Sequence, residues 1–228
     1  MIKVILWDID GTLLNFKAQE ENALRECFDL FSLGEINQEM IEKYDQINNF
    51  YWRLLEKNQI TKAEVLVKRF DDFFAMFNIG FPSELFNDEY QERLGDTIVF
   101  NDDSYNLVLS LKDKVKQYAV TNGSLSAQKK KLSKSGLKDL FDGIFISDLI
   151  GVNKPNIEFF DYVFSHIEKV DKDQIIIVGD SLTSDIQGGI NAGIKTCYYN
   201  KEKKKFNNLI SPDYQISSLN EILNIIND

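Results

Sequence analysis

Histidine occurs once in the 228 residues, cysteine twice, and acidic side chains outnumber basic ones 36 to 26. Each shortage removes a class of chemistry. With His166 the sole imidazole, a histidine-rich zinc site is excluded, and a Ser-His-Asp triad effectively so, because its one candidate base lies in a helical pattern. Its setting in "FFDYVFSHIEKV" predicts an ordinary helix-face residue. Cys27 and Cys197 stand far apart with no metal-ligand spacing, which fits reduced, buried thiols in a cytosolic protein. A formal net charge of −10 argues against a broad surface for a nucleic-acid polymer or an anionic membrane, so an anionic ligand would need local positive charge. Long apolar runs are also missing: the first such stretch is short and ends at Asp8, no signal peptide is visible, and no run approaches transmembrane length. The expected location is cytoplasmic.

What the chain does have is length for a core. At 228 residues and 43% hydrophobic content it suits one large domain, or one domain carrying a substantial insertion. It contains no internal repeat and no low-complexity linker. Residues 16–96 read as helical almost throughout, in "AQEENALRECFDLF", "QEMIEKYDQINNFYWRLLEKN" and "TKAEVLVKRFDDFFAMF". Thr61 and Glu64 form a capping-box signature at the start of the third segment. Beyond residue 97 helices alternate with the strands "QYAVT", "GIFIS", "IIIVGD", "KTCYY" and "YQI". Gly136 is a helix stop, "SDIQGGINAG" is a helix, and Ser218 with Glu221 caps the last one. "QKKKLSK" is expected to be the outer face of a helix and "KEKKKF", residues 201–206, a solvated loop. Alternation at this spacing predicts a parallel sheet covered on both faces, and the first strand, residues 2–7, belongs to it. The expected fold is therefore α/β: a Rossmann-like, doubly wound parallel sheet built from 1–15 and 97–228, interrupted by an all-helical insertion at 16–96.

The stretch "WDIDGTLL", residues 7–14, places two carboxylates at the end of that first strand. Neighbouring carboxylates repel unless a cation or donors compensate. At i and i+2 on extended chain, Asp8 and Asp10 point to one side, just beyond the sheet edge where open α/β sheets bind ligands. A solvated Asp-Gly turn would explain the pair alone. An EF-hand loop does not, because Leu13 stands where its glycine belongs and Gln19 where its glutamate belongs. In a parallel sheet the other strand ends share this edge. "AVTNG" brings Thr121, Asn122 and backbone amides, "GVNKP" brings Lys154, and "IVGDSLTSD" brings Asp180 and Asp185. Thr121 and Asp185 could each be a helix cap, Asp180 a turn residue and Lys154 a surface charge, but their convergence on one edge favours a site. Clustered hard oxygen donors without imidazole or thiolate favour Mg²⁺.

"DIDGTLL", "TNG", "KP" and "GDSLTSD" occur in the order and roughly at the spacing of the four motifs of haloacid dehalogenase-like (HAD) phosphohydrolases, and the chain resembles that superfamily over nearly its whole length. The helical insertion resembles the superfamily's C1-type cap. The resemblance implies that Asp8 is a nucleophile forming an aspartyl-phosphate. Asp10 would protonate the leaving oxygen and then activate water, while Thr121, Asn122 and Lys154 would hold the phosphoryl group. Mg²⁺ would be bound by Asp8, the Asp10 backbone carbonyl and Asp180, with Asp185 direct or through water. "GDSLTSDIQGGINAGIKTCYYN" and "INNFYWRLLEKNQIT" followed by "KRF" further resemble pyrimidine 5′-nucleotidases of the house-cleaning type. That likeness implies (deoxy)pyrimidine nucleoside monophosphates as substrates of a monomer or homodimer, with Asn48, Trp52 and Arg69 of the cap choosing among them. "FYWRLL" at helical spacing would equally suit the interior of the cap.

Other readings fit less well. A haloacid dehalogenase needs neither the metal nor the second acid, so Asp10 and Asp180 argue against it. A sugar-phosphate phosphatase or a phosphomutase of the β-phosphoglucomutase type would keep all four motifs. A silent binding module would be expected to have lost Asp8, Asp10 or Lys154. "GGINAGIKT" approaches a P-loop, but an extra residue separates Gly193 from Lys195 and the order is helix then strand.

Overall fold

β1 (Val4–Trp7) is a run of four apolar residues, every one of them buried. A strand apolar on both faces is stable only where both faces are covered, and this one lies in the interior of a sheet. The computed structural model describes residues 1–205 and 209–226; of "KEKKKF", Phe206 lies outside the described residues, and Lys201 to Lys205 are exposed.

After β1 the chain forms α1 (Phe16–Leu30), α2 (Gln38–Glu56), α3 (Lys62–Phe77) and α4 (Ser83–Leu94). It then alternates through α5 (Ser104–Leu111), β2 (Lys116–Thr121), α6 (Leu125–Ser135), β3 (Gly143–Ile146), α7 (Ser147–Ile150) and α8 (Ile157–His166). It ends with β4 (Ile175–Gly179), α9 (Gln187–Ala192), β5 (Lys195–Tyr199), β6 (Tyr214–Ile216) and α10 (Ile222–Ile225). The six strands form one sheet in the order β3-β2-β1-β4-β5-β6, with every pair parallel. This is the doubly wound α/β architecture the alternation predicts. β1 has Val4 opposite Lys116 of β2 on one side and Ile175 of β4 on the other. The connection direction reverses there, and the crevice at such a switch point, beyond the strands' carboxyl ends, is where open sheets hold ligands.

Alternate residues of each strand feed two cores. Ile5, Trp7, Ala119, Ile176, Val178 and Cys197 face one layer, and Val4, Leu6, Tyr118, Val120, Ile175 and Ile177 face the other. Trp7 is fully buried and donates its indole N–H to Gln117 Oε1 at 3.1 Å, so the largest central side chain leaves no polar atom stranded. Burial pushes the Cys197 thiol up to about 12, as expected of an inert core cysteine. His166 lies exposed on α8, its ring stacked on Tyr162.

Contacts divide the chain into two compact units, Met1–Phe16 with Ile98–Asp228, and Lys17–Thr97. The second is a four-helix unit whose interior is aromatic: Phe28, Tyr44, Phe70, Phe73, Phe86 and Tyr90 meet mostly edge to face. Thr61 caps α3 as its sequence predicts, with both reciprocal bonds of the capping box present. Gly136 ends α6 in the left-handed region at φ 72°. One expectation needs correcting. "SDIQGGINAG" is not a plain helix, because a π-helical turn over Leu182–Ile186 precedes α9.

Candidate active site

The carboxyl ends of β1, β2 and β4 and the segment before α8 supply the site. Asp8 follows β1 directly and is buried. Its Oδ2 accepts from the Thr12 hydroxyl at 3.0 Å and its Oδ1 from Lys154 Nζ at 2.9 Å. Lys154 is itself buried, and its ammonium also donates to the Val120 carbonyl at 2.8 Å and to Asp185 Oδ1 at 2.6 Å. All three donor positions of the lysine are therefore filled. Burial opposes its charge, but Asp185 and Asp8 outweigh burial and hold its pKa above the ordinary value. For Asp8 the balance runs the other way. Burial, then the charge of Asp185, raise its carboxyl to about 7 against the pull of Lys154.

Asp8, Asp180 and Asp185 each bring a carboxylate oxygen to within 4.8 Å of the others. Crowding by protein around the Asp180 carboxyl and the charges of Asp8 and Asp185 push it above its usual range as well. Its residue surface is open to solvent, so the neighbouring charges are the firmer cause. One lysine does not balance three carboxylates. The donor set is all hard oxygen, which suits Mg²⁺. The π-helical turn places Asp185, whose Oδ2 also accepts from the Ser181 backbone N–H at 3.1 Å. Asp180 approaches only because residue 11 is glycine. Gly11 adopts φ +92°, and a Cβ there would lie 2.3 Å from Asp180 Oδ2. Asn101, which sequence reasoning missed, braces the same loop by donating to the carbonyls of Gly11, Thr12 and Leu14.

The side chain of Asp10 is not in that carboxylate cluster. Its Oδ1 accepts from Lys131 Nζ at 2.6 Å and its Oδ2 from Gln128 Nε2 at 2.5 Å. Both donors belong to α6 and are fully buried. This corrects the expectation that "QKKKLSK" is an outer helix face: Lys131 points inward, with its ammonium also 4.9 Å from the Phe16 ring. The signal was the i, i+3 spacing of Gln128 and Lys131, obscured by the lysine run around them.

Thr121 ends β2 buried, and its hydroxyl accepts from the Gly123 backbone N–H at 3.0 Å. Asn122 is occupied differently from the phosphate contact that the motif implies. Its amide grips the backbone of Lys154, accepting from the N–H and donating to the carbonyl, both at 2.9 Å, and it donates to Ser184 as well. In the four-helix unit, Asn48 and Arg69 lie in one buried network. Arg69 donates to Asn48 and Asn87, and Asn48 donates to Glu20. Trp52 is half-buried against the cluster of Tyr51, Leu55 and Val65.

Comparison with known proteins places these features. Residues 2–193 match the family described as haloacid dehalogenase-like hydrolase. The chain is 35% identical to YfnB of Bacillus subtilis (strain 168) over 99% of its own length and 95% of the relative's. It is 32% identical to the pyrimidine 5′-nucleotidase PynA of Streptococcus pneumoniae, covering 98% of this chain and 94% of that one. Identity to the pyrimidine 5′-nucleotidase YjjG of Escherichia coli is 30%, over 96% and 95%. A crystal structure of YfnB bound to magnesium superimposes with a TM-score of 0.94 at 34% identity, covering 100% of this chain and 99% of that one.

Proposed function

Because the chain belongs to the haloacid dehalogenase-like hydrolase family, we propose that it is a phosphomonoesterase working through an aspartyl-phosphate on Asp8. The observation that carries this reading is the setting of Asp8, a buried carboxylate held between the Lys154 ammonium and the Thr12 hydroxyl, beside Asp180 and Asp185. An Asp8 oxygen attacks phosphorus, a new O–P bond forms, and the ester P–O bond breaks with its electron pair leaving on the organic oxygen. Asp10 gives that oxygen a proton. Water then attacks the aspartyl-phosphate while Asp10 takes a proton from it, and cleavage of the Asp8–phosphoryl bond restores the carboxylate. The sum is ester plus water to alcohol plus inorganic phosphate.

Mg²⁺ held by Asp8, Asp180 and Asp185, with the Asp10 backbone carbonyl, would supply charge neutralisation that lets an anionic phosphate approach a carboxylate. Lys154 serves the same end with a fixed positive charge, and its three acceptors prevent it from turning away. Thr121 offers a hydroxyl to the transferred group. Asn122 holds the backbone that carries Lys154 in place.

The substrate class we propose is the (deoxy)pyrimidine nucleoside 5′-monophosphates, supported by the names of the two relatives at 32% and 30% identity. The unit Lys17–Thr97 would act as the cap that reads the organic part. Of the three candidate readers there, Trp52 keeps a partly open ring, whereas Asn48 and Arg69 are engaged with each other and are better suited to hold the cap's shape. A screen over nucleoside monophosphates and sugar phosphates, with Mg²⁺ and with chelator, tests both levels. Full activity in excess chelator overturns the metal-assisted mechanism, and preference for sugar phosphates overturns the nucleotide assignment. Asp8→Asn should abolish turnover while the fold persists.

A further inference from the structure

Asp10 needs a fixed direction, and its own strand end does not supply one: the backbone sets only where its Cβ points, leaving the carboxyl group to turn. We propose that Gln128 and Lys131 are positioning residues that aim the Asp10 carboxylate at the reacting oxygen, and that Gly123 is glycine to let Gln128 reach it. The inference rests on the hydrolytic role of Asp10 given above. Two donors of different shape hold two different oxygens, an ammonium on Oδ1 and an amide on Oδ2, which fixes rotation about the last side-chain bond. Each oxygen keeps a further lone pair, the position that carries the proton given to the ester oxygen and afterwards takes one from the water.

Three observations show what this arrangement costs. Lys131 is fully buried on a helix that could have carried a leucine there, and a buried ammonium is tolerated only with a close partner. The partner it has is Asp10. Gln128 is fully buried too, and its Oε1 has no hydrogen-bond partner among the described residues although its Nε2 is satisfied. Turning the amide over would set its oxygen against the carboxylate, so the orphaned acceptor is the consequence of serving Asp10. Finally, a Cβ on Gly123 would lie 2.1 Å from Gln128 Nε2, inside the path of that amide. Glycine in the "TNG" segment thus ties the phosphate-site strand end to the orientation of Asp10.

The test uses the full chain in Mg²⁺ buffer with phenyl phosphate, whose leaving oxygen needs a proton, and p-nitrophenyl phosphate, whose leaving oxygen scarcely does. The quantity read is kcat/KM, which ends at release of the phenol and is blind to the later hydrolysis. Lys131→Met and Gln128→Ala should each lower kcat/KM for phenyl phosphate about tenfold more than for the nitrophenyl ester. In an Asp10→Asn background Lys131→Met should cost less than about twofold, because its only route to the chemistry is gone. Gly123→Ala should reproduce Gln128→Ala, which keeps the test open should Lys131→Met fail to fold. Equal losses on both esters, or a full Lys131→Met effect in the Asp10→Asn background, would overturn the positioning role. A wild-type chain that releases neither phenol would overturn the hydrolytic reading beneath it.

Discussion

Asp8 titrates far from an ordinary aspartate. Its native carboxyl is raised to about 7, chiefly by burial and then by Asp185, against a usual value of 3.8. Between those two values the native metal-free chain binds more protons than the unfolded one. Its contribution to stability is complete below about pH 4 and is lost as pH rises through 7. Melting curves of wild type and Asp8→Asn without metal should therefore diverge with rising pH, the variant gaining relative to wild type. Added Mg²⁺ should restore wild type and do little for the variant. A second residue-scale prediction concerns Gly11. Gly11→Ala meets both a positive φ and the Asp180 carboxyl, so stability should fall by about 1–3 kcal/mol. Calorimetric titration should show weakened Mg²⁺ binding beyond what that loss explains. At this scale the sequence was readable wherever a residue ended a strand, since Asp8, Thr121 and Asp180 follow from the parallel sheet alone. It was unreadable for Asn101 and for the Asn122 amide, whose partners are backbone groups brought near by folding and leave no pattern in side-chain chemistry.

Among the elements, α3 declares itself most clearly, because a capping box is a local device whose two partners lie three residues apart. Thr61→Ala should lower the melting temperature by roughly 2–4 °C while leaving ester hydrolysis unchanged. The network behind α2 and α3 behaves differently. Arg69→Met would strip Glu20 and Asn48 of their buried cationic neighbour, and the expected loss, about 3 kcal/mol by chemical denaturation, falls on the helical unit. An unchanged stability with altered substrate preference would instead return Arg69 to substrate recognition. α6 was misread because three consecutive lysines suggest solvent, and nothing local says which one turns inward. The π-helical turn at Leu182–Ile186 was hidden for a related reason: Asp185 within it meets Lys154, a contact 31 residues distant that no local pattern records.

For the whole molecule, a net charge of −10 disfavours a broad surface for an anionic polymer, so the phosphate ester proposed as substrate would have to be met by concentrated local charge. Among the described residues no helix is long and apolar enough to cross a membrane. Trp52 belongs to this scale because its role depends on what the helical unit does for the other. Trp52→Ala should reduce turnover of dTMP and UMP while sparing p-nitrophenyl phosphate. Equal loss on all three together with a lower melting temperature would assign it to packing alone.

β1, the first strand made, also lies in the interior of the sheet, hydrogen-bonded to β2 on one side and to β4 on the other. The register sets Trp7 against Val178, so this apolar strand acquires its second partner only after most of the chain has been synthesised. The four-helix unit, local in sequence, can fold while β1 waits. During that interval "VILW" is an apolar strand with one hydrogen-bonding edge still open, and growing chains stopped short of β4 should depend on chaperones in a way the finished enzyme does not.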